Sequence, residues 1–473
     1  MNRLIIFFCC LFFSTNDKTQ QADSIPITKN MIHKVDTSAV DSFSEDRIYN
    51  AKVLERFFEK LKENESHNDQ KINIVHIGDS HIQSDLMTNE IRKNLQQKFG
   101  NAGRGFVFPY QLAKTNGSYN ERFYSNRSWE SYRNIHPFKS VAVGLSGIAL
   151  WRDTGGFAVE LNIKDAAYKF NSIQIITPRN QNMFNLAISS QTKTIQSTER
   201  KIITHKIKKG EAISTIAEKY NISIAEIKRE NHLKSNNIRA GRTLKILTNE
   251  TKPKNITSSE FVPLELESDS YSHYYHSDKE LNKIFLIPNK EASKYELNGI
   301  VLEKDAPGLI YSSIGVNGAK FSDYNKYPLF FDQVKALEAD LLVVSLGTNE
   351  SYDHMEASAY IKELREFIKN IKEQNADVSI IVMTPPPSLL KGRRPNIYVH
   401  DYAKSIIEIA KTDGFAVWDL YDEFGGMDGI RNLKSGGLIG PDWVHYSKKG
   451  YEKQGNLFTE AFLKAYDNFK LKN

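Results

Sequence analysis

An apolar run, Ile72-Asn-Ile-Val-His-Ile77, breaks at Gly78-Asp79-Ser80. Bounded by that turn signal, it predicts a buried parallel strand. Leu86, Ile91, Leu95 and Phe99 then recur at roughly helical spacing, which puts Ser80 in a strand-to-helix turn. Upstream, Val53, Leu54, Phe57, Phe58 and Leu61 share one face of a helix expected over 47–63. After Gly299 the alternation returns. Strands are expected at 309–314, ending in Gly315-Val-Asn-Gly318, and at 339–346, ending in Gly347-Thr-Asn349-Glu350. Two more follow, at 378–383 before Thr-Pro-Pro-Pro387 and at 415–419. Helices fill the intervals at 330–337, 357–373 and 402–411, and a last one runs from near Ser447 to Phe469. Such alternation predicts an α/β fold with a doubly wound, parallel, five-stranded sheet, whose ligand crevice lies beyond the carboxyl ends of its strands.

Between these halves the period changes. Short alternating runs at 136–202 and 255–305 predict a β-sandwich insert split in sequence, with Gly155-Gly156 as a hairpin signal. Within it, 203–248 reads as a compact β-α-α-β unit: a strand at His205, helices carrying Ile213, Ile216, Ala217 and Ile224, Ile227, and a closing strand to Ile246. Ser223 is the expected N-cap of its second helix, and 251–259 a polar linker. Gly100-Asn-Ala-Gly-Arg-Gly105 follows a helix and lacks a Gly-Lys-Ser/Thr, so it reads as a loop on the site's rim and not as a phosphate cradle. The expected order begins with a signal segment (1–20) and a leader to about 40. The first core segment (40–135), the first insert segment (136–202) and the β-α-α-β unit (203–248) come next. The second insert segment (255–305) and the second core segment (306–470) complete the chain.

Composition narrows the address. Met-Asn-Arg followed by the apolar stretch 4–13 and then polar residues has the form of a secretory signal, too short to span a bilayer. This predicts export to the periplasm or cell envelope with no transmembrane span. The chain's 2 cysteines, Cys9 and Cys10, both fall in that segment, leaving a lipid anchor open and a mature chain without disulfides. A net charge of +6, with both signs interspersed, predicts no nucleic-acid partner.

A serine hydroxyl needs a base, a group that orients the base, and donors for the oxyanion. His445, with Asp442 three residues before it, supplies the base and its carboxylate; Ser80 is the nucleophile. The backbone amides of Ser80 and Gly318, with Gly315 as the alternative, and the side chain of Asn349 are the expected oxyanion donors. Four blocks in this order, Gly78-Asp79-Ser80, Gly315-Val-Asn-Gly318, Gly347-Thr-Asn349-Glu350 and Asp442-Trp-Val-His445, resemble the SGNH (GDSL-like) hydrolase family. His81 stands where the name-giving motif has Leu, and Glu350 where Asp is common. The resemblance implies a flavodoxin-like core and an ester hydrolase needing no cofactor and no metal. His76 reads as a core histidine, and the cluster Tyr271-Ser-His-Tyr-Tyr-His276 as a solvated loop.

The 203–248 unit resembles a LysM module, which implies binding of peptidoglycan or another N-acetylglucosamine-containing glycan. Its contacts would come from Gly210, Glu211, Ala212, Ile213, Asn236 and Ile238, although Gly210-Glu211-Ala212 replaces the usual Gly-Asp-Thr. Together the two resemblances imply an exported serine O-acetylesterase of O-acetylated peptidoglycan, working through an acetyl-serine intermediate. The alternatives are a non-catalytic peptidoglycan-binding protein and a metal-dependent phosphoesterase using His76-x-x-Asp79-x-His81.

Overall fold

A computed structural model describes residues 47–189, 198–253 and 261–472. The expected signal segment, Cys9, Cys10 and the leader lie outside the described residues, as does the linker beyond Pro253. Six parallel strands form the centre: β1 (Lys71–Gly78), β2 (Asn101–Val107), β3 (Gly308–Gly315), β4 (Leu341–Ser345), β5 (Ser379–Met383) and β6 (Ala416–Trp418). Their spatial order is β6-β5-β4-β1-β3-β2. The chain starts in the middle and grows to both sides, so the strand order reverses at β1, between β3 and β4.

Side chains alternate across this sheet. Ile72 and Ile74 of β1 pack on one face with helices α1 (Glu55–His67), α2 (Leu86–Phe99) and α5 (Lys448–Lys472). Val75 and Ile77 pack on the other, with α3 (Ala357–Gln374) and α4 (Ile397–Asp413). Both faces are covered, which is why β1 reads as a nearly continuous apolar run.

The sheet is wider than five strands. Gly100–Gly105, expected as a loop, enters β2, a strand that accommodates Gly103 and Gly105 at φ of 138° and 74°. Glycines supply no side-chain period, so the strand carried no pattern to detect. Its outer edge is covered by the antiparallel Gly299–Glu303, then by Phe170–Ile176, His273–Leu281 and Glu267–Ser268. With Ile48–Tyr49 on β6, eleven strands form one sheet. Some strands of the expected separate sandwich are therefore an extension of the core. The rest form a five-stranded sheet and a three-stranded one. Gly155-Gly156 closes no hairpin: Ile148–Arg152 and Val159–Ile163, on either side of it, belong to different sheets.

The β-α-α-β unit has a core of its own, with Ile207, Ile213, Ile216, Ile227, Leu244 and Ile246 at its centre. Ser223 caps its second helix in a reciprocal bond with Glu226. The closing strand runs on to Pro253, into the stretch expected as linker.

Core and insert are joined by a buried ion cluster. Asp85 bonds Arg92 of α2 at 2.8 Å and Arg104 of β2 at 2.9 Å, and Arg104 reaches Glu121 at 3.1 Å, on a strand (Glu121–Ser125) that pairs with Val159–Ile163 of the insert. Thr88 and Ser313 also donate to Asp85. Burial alone would raise the Asp85 carboxyl, but the guanidiniums of Arg104 and Arg92 hold it well below the usual carboxylate range. Removing one partner leaves buried charges uncompensated. Asp85→Ala should therefore destabilise the fold by about 3–5 kcal/mol, read as a lowered urea midpoint.

Candidate active site

The carboxyl ends of β1, β3 and β4 lie side by side, with Gly78 in register with both Gly315 and Ser345. Each end carries one residue singled out above: Ser80 after β1, Gly318 after β3 and Asn349 after β4. Ser80 opens a short helix, Ser80–Gln83, whose N-cap is Asp79. The Asp79 carboxylate accepts from the His81 amide at 2.9 Å, which sets the turn in which Ser80 is displayed.

His445 and Asp442 arrive from the loop before α5. Ser80 Oγ lies 2.9 Å from His445 Nε2, and His445 Nδ1 lies 2.7 Å from Asp442 Oδ2. Asp442 Oδ1 also accepts from the amides of Val444 and His445 at 3.1 and 3.0 Å. This fold-back puts Trp443 in the left-handed region, at φ 61°. That conformation is strained for a bulky side chain, and strain of this kind concentrates at working sites. The Trp443 carbonyl accepts from Leu389, and the Lys434 ammonium sits 4.9 Å from its ring centre.

The electrostatics follow from these contacts. Burial opposes ionisation of Asp442, but the hydrogen bond to His445 and the two amides outweigh it and lower its pKa to about 2. Burial likewise disfavours the His445 imidazolium, yet the Asp442 carboxylate raises it above the ordinary 6.5. Asp79 is pushed up to about 7 and Glu350 to about 8, both chiefly by burial.

Asn349 ties the strand ends together. Its Nδ2 donates to the Ala319 carbonyl at 3.0 Å and, at 3.3 Å, to Asp79 Oδ2. Gly318 has φ 85°, a conformation that favours glycine, and a side chain there would only brush Ile135. Gly315, in contrast, is packed from within: an added Cβ would lie 2.3 Å from the Gln83 amide nitrogen. Between the two, Gly318 is the one in the open turn.

The histidines left over are engaged elsewhere. His76 contacts the Tyr311 hydroxyl and Ser345 Oγ through its two ring nitrogens, at 2.8 and 2.7 Å, and burial lowers its pKa to about 3. It is a satisfied core histidine and offers no free nitrogen to a metal. His81 contacts the Tyr451 hydroxyl at 2.9 Å and packs its ring 5.3 Å from that of His445. The cluster around Tyr271 is a strand start, with His273 buried, and not a solvated loop throughout.

In the β-α-α-β unit, Gly210, Ala212 and Asn236 are exposed and Ile238 is half-buried. Ile213, expected to meet sugar, is 3% exposed and belongs to the unit's core. Glu211 Oε2 accepts from the Lys208 amide and contacts His205 Nε2 at 2.8 Å, so its carboxylate braces the loop from inside. Sequence reasoning gave Asp79, Gln83 and Glu350 no role in the ester chemistry. Their only signal was position, within a turn of Ser80 or Asn349.

Replacing Asp442 with Asn removes its charge and its charge-assisted hydrogen bond, leaving burial, the largest cause and a lowering one, opposed only by the weaker pull of Asp79. In Asp442→Asn the His445 imidazole should titrate below 6.5, against a parental value above it; pH titration of its ring resonances by NMR decides.

A model of the GDSL-like lipase/acylhydrolase family matches residues 299–453, and one of the LysM domain matches residues 205–247. Ser80 lies outside the first match, separated from it by the insert. Among solved structures, one described as a peptidoglycan O-acetylesterase in action is 18% identical, over 89% of this chain and 99% of its own, with a TM-score of 0.59. A lipase/acylhydrolase from Enterococcus faecalis is 21% identical over 32% of this chain and 75% of its own, with a TM-score of 0.27. A member of the lipolytic G-D-S-L family from Veillonella parvula DSM 2008 is 15% identical over 33% and 81%, with a TM-score of 0.27. A sequence search finds no match among curated proteins. The chain is thus an ester hydrolase with a GDSL-like lipase/acylhydrolase domain of SGNH fold, into whose sequence a LysM domain is inserted.

Proposed function

We propose that this chain is an exported serine O-acetylesterase whose substrate is O-acetylated peptidoglycan. The observation that carries the chemistry is the continuous chain from Ser80 Oγ through His445 to Asp442. Ser80 attacks the acetyl carbonyl while His445 Nε2 takes its proton, and Asp442 stabilises the imidazolium formed. The tetrahedral oxyanion accepts from the Ser80 and Gly318 amides and from Asn349 Nδ2, which releases its long 3.3 Å contact to Asp79. Collapse expels the sugar hydroxyl, protonated by His445, and leaves acetyl-Ser80. Water, deprotonated by the same imidazole, then releases acetate and restores the serine.

The substrate class rests on the LysM domain together with this chemistry. LysM domains bind N-acetylglucosamine-containing glycans, and the polymer with such a backbone and O-acetyl esters in the cell envelope is peptidoglycan. The structure described as a peptidoglycan O-acetylesterase, similar over nearly the whole chain, favours the same reading. Among the described residues no helix is long and apolar enough to cross a membrane.

Ser80→Ala should lose ester hydrolysis by about 10³-fold or more while keeping its far-ultraviolet circular dichroism. Acetate release from purified O-acetylated peptidoglycan at the parental rate would show that the nucleophile is another residue. Deleting 203–248 should weaken sedimentation with insoluble peptidoglycan yet spare hydrolysis of a small chromogenic acetate ester. Equal loss of both would contradict a separable glycan-binding module.

A further inference from the structure

We propose that Gln83 is the positioning residue that sets the oxyanion loop against the nucleophile. The inference rests on the assignment of Ser80 and Gly318 above and adds what holds them in register. Gln83 ends the short helix that Ser80 begins and is 2% exposed. Its Oε1 accepts from the Asn317 backbone amide at 2.6 Å, one residue before Gly318. A backbone N–H can only donate, so the Gln83 amide has one orientation, with Nε2 on the far side. There Nε2 donates to the Asn116 carbonyl at 2.6 Å and to Thr115 Oγ1 at 2.9 Å. Asn317 Nδ2 closes the junction by donating to Asn116 Oδ1 at 2.6 Å. One buried side chain thus bolts three segments together: the nucleophile's helix, the Gly318 loop and the 115–116 loop.

The other links between the first two are Asn349, which bonds Ala319 beyond the turn and reaches Asp79 at 3.3 Å, and one backbone bond. The backbone bond from Val316 to the Gly78 carbonyl is long, at 3.3 Å. Gly315 lets β3 approach the helix, with no side chain to interlock with it. An oxyanion donor works only if it faces where charge develops, and a misplacement of about 1 Å costs on the order of 10²-fold in rate. Holding the Asn317–Gly318 segment by its own amide acts on that distance directly. The effect appears when the oxyanion forms, so it falls on kcat and not on substrate binding.

The test measures kcat and KM separately on a chromogenic acetate ester for the full chain and for Gln83→Met, Gln83→Glu and Ser80→Ala. Gln83→Met removes the acceptor at similar volume and should lower kcat about 10- to 100-fold, with KM within about threefold. The pH of the acidic limb, set by His445 and Asp442, should not move. Gln83→Glu, kept as the neutral acid by burial, retains an acceptor for Asn317 and one O–H donor toward the Asn116 carbonyl, so kcat should stay within about fivefold of the parent. Parental kcat in Gln83→Met, a loss confined to KM, or a Gln83→Glu enzyme no better than Gln83→Met would each overturn the proposal. If Gln83→Met does not fold, Gln83→Glu decides: near-parental kcat supports it and a loss beyond about tenfold overturns it. Activity surviving in Ser80→Ala would instead overturn the underlying assignment of the nucleophile.

Discussion

Three parallel strands must end at the same level, side by side, with almost nothing between them. Gly78 of β1 pairs with Gly315 of β3 on one side and with Ser345 of β4 on the other. At that height a side chain on Gly315 would run into the backbone of the helix that Ser80 begins. β1 is where the strand order reverses, the position at which open α/β sheets place their ligand crevices. The hydroxyl, the Gly318 turn and the Asn349 side chain therefore share one floor. Only the loop before α5 comes from elsewhere, and it brings His445 and Asp442 over the top.

Burial sorts the acids around this floor. Asp442 keeps its charge because three donors face it, and its pKa drops to about 2. Glu350 accepts from the Phe321 backbone amide, but burial outweighs its hydrogen bonds and pushes it up to about 8. Asp79, raised to about 7, caps the helix that Ser80 begins. Depth of burial separates these carboxyls: Asp79 and Glu350 are fully buried, whereas Asp442 is partly exposed and faces the His445 imidazole. The buried Asp85–Arg92–Arg104–Glu121 cluster follows the same helix in sequence and ties the core to the strand Glu121–Ser125, which pairs with Val159–Ile163 of the insert.

The two domains illustrate different uses of one local signal. Glu211 in the LysM loop stands where an acid is usual, but it turns inward to His205 and the Lys208 amide. Gly210 and Ala212 on either side of it are exposed. Ile213, next in the chain, is spent on the module's core.

Local pattern was enough for β1, for the core strands after the insert, for the LysM helices and for the blocks that carry Ser80, Asn349 and His445. Each is a statement about neighbours within a few residues: an apolar run, a helical period, a turn signal, an acid at minus three. The glycine-bearing β2 and the shared strands at the core–insert boundary were not legible, because pairing partners such as Gly299–Glu303 lie far away in sequence and glycine carries no period. Neither was Gln83, whose worth depends on meeting Asn317, 234 residues later. Sequence alone determined which chemical groups were available and that they sat at strand ends. Only the tertiary structure decided which strands were neighbours, and hence which of those groups could share a proton.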